Sequence, residues 1–439
     1  MLIKFWGVRG SIPAPLTAAQ IKHKITCALR EAEANQVDLS DSKAIDAFVT
    51  GLPPAIRGTI GGNTSCVSVE TPSGLVIFDA GTGIRVLGEA LMEREFGRGK
   101  GEATIFFTHT HWDHVQGFTF FRPAFVPGNR FTVYFVHPYV EEVIIDQMKA
   151  EWFPVPFGSM AADLEFNQVE EGDMVKAAGL GIRGKALQHP GTAFAYRVEN
   201  GTSSLVLATD GEYKSLSASH TREYIDFFSS ADVLIFDSMY SVRDSIIKED
   251  WGHSSALIGA DIARQARVKQ LVLFHHDPAA TDEEVWGVRQ ATVEYMSQDF
   301  STTPPEVLVA TEGMEINLSD AHDFRVRTEE IKGDVAILSL VGRFDAYGAE
   351  VFEARFDELL TKTDMSRIVL SMQDVTELNM AGVKALIEAR KQTYSMALTQ
   401  LPSHIHRVLE LAVTADFFAI YDQVETALEA LNASNNERH

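Results

Sequence analysis

Apolar positions fall in two rhythms along this chain. Leu2, Ile3, Phe5, Trp6 and Val8 form a short apolar run that Gly10 and Pro13 end, so residues 2–8 are expected as a strand. The spacing then changes. Ile21, Ile25 and Leu29 recur every fourth residue, which predicts a helix over 17–34 with a one-sided apolar stripe. A second short helix is expected over 41–50, and Pro53-Pro54 closes this helical insert. Strands resume at Cys66-Val67-Ser68-Val69-Glu70 and Leu75-Val76-Ile77-Phe78-Asp79, joined into a hairpin by Pro72-Ser73-Gly74. A helix is expected over 84–95. The apolar run at 103–108 then has the continuous character of a fully buried strand.

Further along, short apolar strands alternate with helices, and each strand ends on a polar residue. The run 205–210 ends in Asp210, 233–237 in Asp237 and 271–275 in His275. An α/β enzyme uses such strand ends to line up site residues along one edge of a sheet. The stretch 320–326 interrupts the order, which then restarts with a strand at 334–341, a helix at 348–361, a strand at 367–371, a helix at 381–395 and a helix near 422–431. The expected organisation is a first domain over 1–320 with a helical insert at 14–58, a small α/β domain over 326–432, and a disordered tail at 433–439.

Apolar residues at 45% and charged residues at 23% are ordinary for a globular protein. The charge balance says more. The net charge is −23, and both sides of Phe324 are acidic. Nothing is built to neutralise the phosphates of a large nucleic acid, so none is expected as a partner. A small phosphorylated substrate fits better, because bound metal ions would supply positive charge locally. Cys27 and Cys66 make neither a disulfide framework nor a Cys-x-x-Cys pair. The start lacks a signal-peptide pattern, and no apolar run approaches the ~18 residues needed to span a bilayer. A cytoplasmic protein without membrane contact is expected.

The central chemical signal is Thr108-His109-Thr110-His111-Trp112-Asp113-His114, directly after a buried strand. Imidazole and carboxylate are good ligands for zinc. His109 and His111, two apart, can converge on one ion from a tight turn, and Asp113 and His114 can face a second ion beside it. His189, Asp210 and His275 lie downstream at strand ends and supply further ligands: a third His for each ion and one carboxylate to bridge them.

These pieces resemble the metallo-β-lactamase superfamily, in the phosphodiesterase-like branch that includes tRNase Z and bacterial cyclic-nucleotide phosphodiesterases. The matching stretches are Gly7-Val8-Arg9-Gly10-Ser11, Gly61-Gly62-Asn63-Thr64-Ser65, Asp79-Ala80-Gly81-Thr82-Gly83, the His-x-His-x-Asp-His cluster, Thr209-Asp210-Gly211, Gly252-His253-Ser254-Ser255 and His275-His276-Asp277-Pro278. The resemblance implies an α/β fold, a four-layer αββα sandwich with metals at one edge. It implies that His109, His111 and His189 bind a first divalent ion, that Asp113, His114 and His275 bind a second, and that Asp210 bridges. His276 is the alternative to His275, which is preferred because it directly ends the apolar strand. Asp79 is expected to hydrogen-bond a ligand imidazole.

His253 resembles the histidine that protonates the leaving group in phosphodiesterase members, so Asp113 and His253 are the expected catalytic residues. His111 stands where flavodiiron relatives have a carboxylate, which favours zinc, with manganese as the alternative. The long basic arm of tRNase Z is not evident. The expected function is therefore a metal-dependent phosphodiesterase acting on a small nucleotide or cyclic-nucleotide phosphodiester. A ligand-sensing scaffold and a lactone or thioester hydrolase are the alternatives. Phenylalanines at 118, 120, 121, 125, 131 and 135 are expected mostly in the core, with one or two free to stack a base.

Residues 327–432 resemble a STAS domain through Val335-Ala336-Ile337-Leu338-Ser339-Leu340, Gly342-Arg343-Phe344-Asp345, Ile368-Val369-Leu370-Ser371 and Leu378-Asn379-Met380-Ala381-Gly382-Val383. The resemblance implies a small sheet packed by helices and a role in protein–protein contact or ligand sensing, and a protein partner or a second copy of the chain is expected there. Members controlled by phosphorylation carry a hydroxyl where this chain has Asn379-Met380-Ala381-Gly382, so no phosphate switch is expected there.

Overall fold

The runs of β-branched and aromatic residues become strands because extended backbone lets alternate side chains enter two separate cores. The computed structural model describes all residues except 202, 216, 299–303, 319–323, 333, 363–366, 413–416 and 437–439. In chain order the strands are β1 (Leu2–Gly7), β2 (Cys66–Thr71), β3 (Gly74–Phe78), β4 (Glu102–Phe106), β5 (Arg130–Phe135), β6 (Asp163–Gln168), β7 (Met174–Ala177), β8 (Leu180–Leu187), β9 (Ala193–Glu199), β10 (Ser204–Ala208), β11 (Val233–Asp237), β12 (Gln270–Phe274), β13 (Glu306–Val309) and β14 (Glu315–Asn317). Among the described residues they form two seven-stranded sheets, ordered β14-β1-β2-β3-β4-β5-β6 and β13-β12-β11-β10-β9-β8-β7. Strands β3 to β6 run parallel, as do β10 to β13, and antiparallel hairpins flank both blocks.

Side-chain alternation sets the layers. Phe78 and Phe106 of the first sheet meet Tyr196 of the second at ring separations of 5.7 and 5.2 Å, and Phe5 meets Phe274 at 6.0 Å. Their neighbours Ile77 and Ile105 point the other way and pack with Ile84 and Leu87 of the helix Gly83–Met92. On the second sheet, Val206, Leu234 and Leu271 pack outward with Phe228 of the helix Ala218–Phe228 and Ala260 of the helix Ala256–Gln265. The result is helix, sheet, sheet, helix, in four layers. Among the described residues, no helix is long and apolar enough to cross a membrane.

The chain divides into two units, Met1–Ile316 and Asn317–His439. In the second, β15 (Arg325–Lys332), β16 (Val335–Phe344), β17 (Arg367–Leu378), β18 (Ser395–Thr399) and β19 (Ala419–Tyr421) make a sheet in that order. Phe344, Phe352, Leu370, Leu386 and Leu398 form its main core with the helices Ala346–Lys362, Met380–Gln392 and Ser403–Ala412.

Several elements differ from the pattern reading. β15 is absent from it because Arg-Val-Arg-Thr-Glu-Glu-Ile-Lys carries too many charges to read as a strand. It sits at the sheet edge, where charged side chains are tolerated. The interruption expected at 320–326 is partly outside the described residues, and Phe324 within it is buried. The last helix, Val424–Asn436, continues into the stretch expected to be a disordered tail, of which 437–439 lie outside the described residues. Pro54 does not end the insert but opens a further helical turn, Pro54–Arg57, the place where proline suits a helix. The stripe Ile21, Ile25 and Leu29 lies on the helix Ala18–Ala34 and faces solvent, at 46%, 56% and 60% exposure.

Candidate metal centre

Each candidate ligand leaves the end of a strand. The His109–His114 stretch follows β4, His189 follows β8, Asp210 follows β10 and His275 follows β12. Asp79, Asp210 and His275 turn away at once, with φ of 60°, 55° and 59°. Left-handed backbone in a residue other than glycine costs about 1–3 kcal/mol and clusters where function requires a side chain to be aimed.

The turns bring seven side chains together in two groups, His109, His111 and His189, and Asp113, His114, Asp210 and His275, with the ligand atoms of each group within 4.8 Å of one another. Asp210 lies between the groups. Its Oδ1 is 3.8 Å from His109 Nε2 and 4.0 Å from His189 Nε2 on one side, and 3.3 Å from His275 Nε2 on the other, while Oδ2 is 3.1 Å from His114 Nε2. Asp113 Oδ2 lies 3.4 Å from His114 Nε2 and 3.5 Å from His275 Nε2, and accepts from the Ser11 amide at 2.7 Å.

The imidazoles are oriented from behind. Asp79 accepts from His114 Nδ1 at 2.7 Å and from the Thr108 amide at 2.8 Å. His189 Nδ1 donates to the Gly252 carbonyl at 2.9 Å. In both rings Nε2 is thereby left bare and aimed into the cluster. Gly252 has no alternative: its φ is +84°, and a Cβ there would sit 2.1 Å from His189 Nδ1.

The donor set fits divalent cations. His109 Nε2, His114 Nε2 and both ring nitrogens of His275 are buried with no hydrogen-bond partner, an arrangement that is costly unless something else binds them. Burial, reinforced by the crowding imidazoles, holds His109 well below the usual histidine range and so in its ligating neutral form. Burial alone would raise Asp113 and Asp210, but the imidazoles, His114 foremost, outweigh it and hold both carboxyls low; the same carboxylates with Asp79 push His114 up, so a bound cation would displace a proton from that ring. Metal ligands need neutral imidazoles and ionised carboxylates.

His276 stays out of the cluster. Its ring hydrogen-bonds the Ala310 carbonyl at 3.0 Å, so of the two adjacent histidines it is His275 that faces Asp113 and Asp210. Arg9, part of the Arg9-Gly10-Ser11 stretch, is also turned away. Its guanidinium is buried and donates to the carbonyls of Gly61, Asp277 and Ala280, with Asp282 at 3.6 Å. The Phe118, Phe121 and Phe131 rings are buried in the core, whereas Phe120 is half exposed.

His253 lies beside the cluster, with Nδ1 2.8 Å from Asp237 Oδ2 and 4.0 Å from Asp210 Oδ1. From the sequence Asp237 is read only as a strand-end residue, with no role assigned to it. Its signal was present, since an acidic residue closing a buried apolar strand needs a partner. Ser11, Thr110, His111, Trp112, Asp113, Asp210 and His253 line one cavity of about 450 Å³.

Residues 75–276 match the β-lactamase superfamily domain, and residues 326–427 match the STAS domain. Ribonuclease Z of Nitrosopumilus maritimus is 24% identical over 263 residues, which is 50% of this chain and 85% of that protein. Ribonuclease Z of Thermoplasma acidophilum is 44% identical over 61 residues, 14% of this chain, and the match spans 20% of that protein's length. Among solved structures, a metallo-β-lactamase fold protein of Bacillus subtilis aligns at 15% identity and a TM-score of 0.47, over 72% of this chain and 98% of that one. The relatives overturn one expectation. A small phosphodiester substrate and no large nucleic acid were expected, yet the relatives bear the name of a ribonuclease. Net charge summed over a whole chain is blind to the few ångströms around a site, where bound cations set the field.

Proposed function

From a chain that carries a β-lactamase superfamily domain at 75–276 and a STAS domain at 326–427, we propose a metal-dependent phosphodiesterase that cleaves RNA. The placement of Asp210 between two ligand groups that open on one cavity with His253 carries the metal-dependent hydrolase reading, and the relatives named ribonuclease Z support RNA as the substrate. His109, His111 and His189 would hold one divalent ion and Asp113, His114 and His275 the other, with the Asp210 carboxylate placed between the two groups. The mixed nitrogen and oxygen donors suit zinc. Ions bound there supply Lewis acidity and a nucleophilic water at neutral pH.

The protein's own residues do the rest. Asp79 and the Gly252 carbonyl fix the rings of His114 and His189, and the Ser11 amide fixes the Asp113 carboxylate. His253 supplies the proton that the departing oxygen of an RNA strand requires, and Asp237 keeps that proton on the ring and the ring in place. No side-chain nucleophile is needed.

The test is a panel of bonds offered to the metal-loaded full chain: a precursor tRNA transcript, an unstructured oligoribonucleotide, bis-p-nitrophenyl phosphate, a thioester and a lactone. Cleavage of RNA and of the nitrophenyl diester, abolished by a chelator, is the expected result. Thioester or lactone turnover without phosphodiester turnover would overturn the reading.

A further inference from the structure

We infer that Trp112 is a stacking platform for an unpaired nucleobase next to the scissile phosphate, an inference that rests on the RNA phosphodiesterase reading above. Three observations carry it. Trp112 is 80% exposed although its indole is the largest apolar surface a residue can offer. It lines the cavity that also contains His111, Asp113, Asp210 and His253, whereas the comparably exposed Trp152 (76%) and Trp251 (64%) are not among the lining residues. Finally, none of the residues lining that cavity is Lys or Arg.

The last point decides how RNA is held. With no Lys or Arg among its lining residues, the cavity wall itself offers no ion pair to the phosphates beside the scissile one. The scissile phosphate would meet the ions held by the ligand groups, and beside Ser11, Thr110 and His253 the wall offers a flat indole. Stacking on an aromatic ring needs no positive charge and accepts any base, since every base has a π-face. It requires that the base be out of a duplex, so the substrate is single-stranded at the cleaved bond.

The Trp112 backbone is anchored. It opens the short helix Trp112–Val115, its carbonyl accepts from the Gln116 amide at 2.8 Å, and the residues on either side of it belong to the two ligand groups. The indole therefore starts from a fixed point between two ligands, within reach of a base attached to the reacting phosphate.

Adenosine 5′-monophosphate and ribose 5-phosphate, which differ by the base, test this on the metal-loaded full chain through tryptophan fluorescence and competition binding. The nucleotide is expected to quench emission in the wild type and in Trp152→Phe. Trp112→Ala should remove that quenching and weaken nucleotide binding about 10-fold or more. Trp112→Phe should retain most of the affinity, and ribose 5-phosphate should bind all variants alike. Nucleotide affinity should also change little between low and moderate salt. Equal weakening of both ligands in Trp112→Ala, unaltered quenching in that variant, or no nucleotide binding to the wild type would overturn the inference. Quenching through Trp112 in a protein that cleaves no RNA would sink the phosphodiesterase reading and leave the platform standing. RNA cleavage indifferent to Trp112 and to removal of the neighbouring base would do the reverse.

Discussion

The ring of His253 donates through Nδ1 to Oδ2 of Asp237 at 2.8 Å, and Asp237 is fully buried at the end of β11. Burial alone would lower the histidine's pKa. Asp237, with help from Asp210 and Asp113, outweighs it and raises the group to about 9. The Asp237 carboxylate thus favours the protonated ring, which is the form a general acid needs. His253→Ala should slow RNA cleavage by about 10²–10⁴-fold. It should slow bis-p-nitrophenyl phosphate hydrolysis far less, because p-nitrophenolate departs without a proton. Metal content should not change. Equal losses on both substrates would return His253 to a structural role.

The same pair makes a pH prediction. An acid with a raised pKa loses its proton as pH rises through that pKa, so RNA cleavage should fall on the alkaline side. Asp237→Asn removes the charge that raises the pKa and should move this limb to lower pH. A pH–rate profile of the two proteins with RNA as substrate measures the shift, and superimposable alkaline limbs would contradict the coupling.

Protein prepared without chelators should contain close to two divalent ions per chain by elemental analysis, as the two ligand groups imply. Asp210→Ala, which withdraws a carboxylate from both, should reduce occupancy in both. Asp79→Asn leaves every direct ligand in place but weakens the acceptor behind His114, and should lower metal affinity about 10–100-fold in competition with a chelating dye. An unchanged affinity would mean that Asp79 serves only the turn it occupies.

Gly252→Ala should displace His189 and reduce activity and metal content while the far-ultraviolet circular dichroism stays native. The cause is local: an added Cβ would sit 2.1 Å from His189 Nδ1 at a φ of +84°. Gly51→Ala is the matched control, since a Cβ there meets nothing within 4 Å. Similar losses in both variants would rule out this steric account.

In the second unit, Asn379 caps the helix Met380–Gln392, its Oδ1 accepting from the amides of Ala381 at 2.9 Å and Gly382 at 3.3 Å. Asn379→Ala should destabilise that unit by about 1 kcal/mol and Asn379→Asp should not. Urea unfolding of the full chain, following the transition of this unit, measures both. Equal stability of the two variants would show that the cap contributes nothing.

The local order of elements could be read from the chain because burial imposes a period. A strand buried on both faces reads as an unbroken apolar run, as in β4, β10 and β12, and the histidine cluster after β4 is dense enough to stand out on its own. His109, His111, Asp113 and His114 are neighbours in sequence, so their chemistry was visible before any fold was known. Charge taught the opposite lesson: a chain-wide sum of −23 pointed away from any large nucleic acid, whereas relatives of this chain are named ribonuclease Z.

Other features belong to tertiary structure alone. His189, Asp210 and His275 are far apart in the chain and come together because β8, β10 and β12 end on one edge of their sheet, and His253 joins them from the segment before the helix Ala256–Gln265. Asp237 acquires a role only when His253 folds over it, and the His275 preferred from the sequence meets the carboxylates because a left-handed turn aims it there. Hydrophobic periodicity reports which way a residue faces within its own element. It carries no information on which side chains from distant elements will share a few ångströms, and the packing of the two sheets decides that.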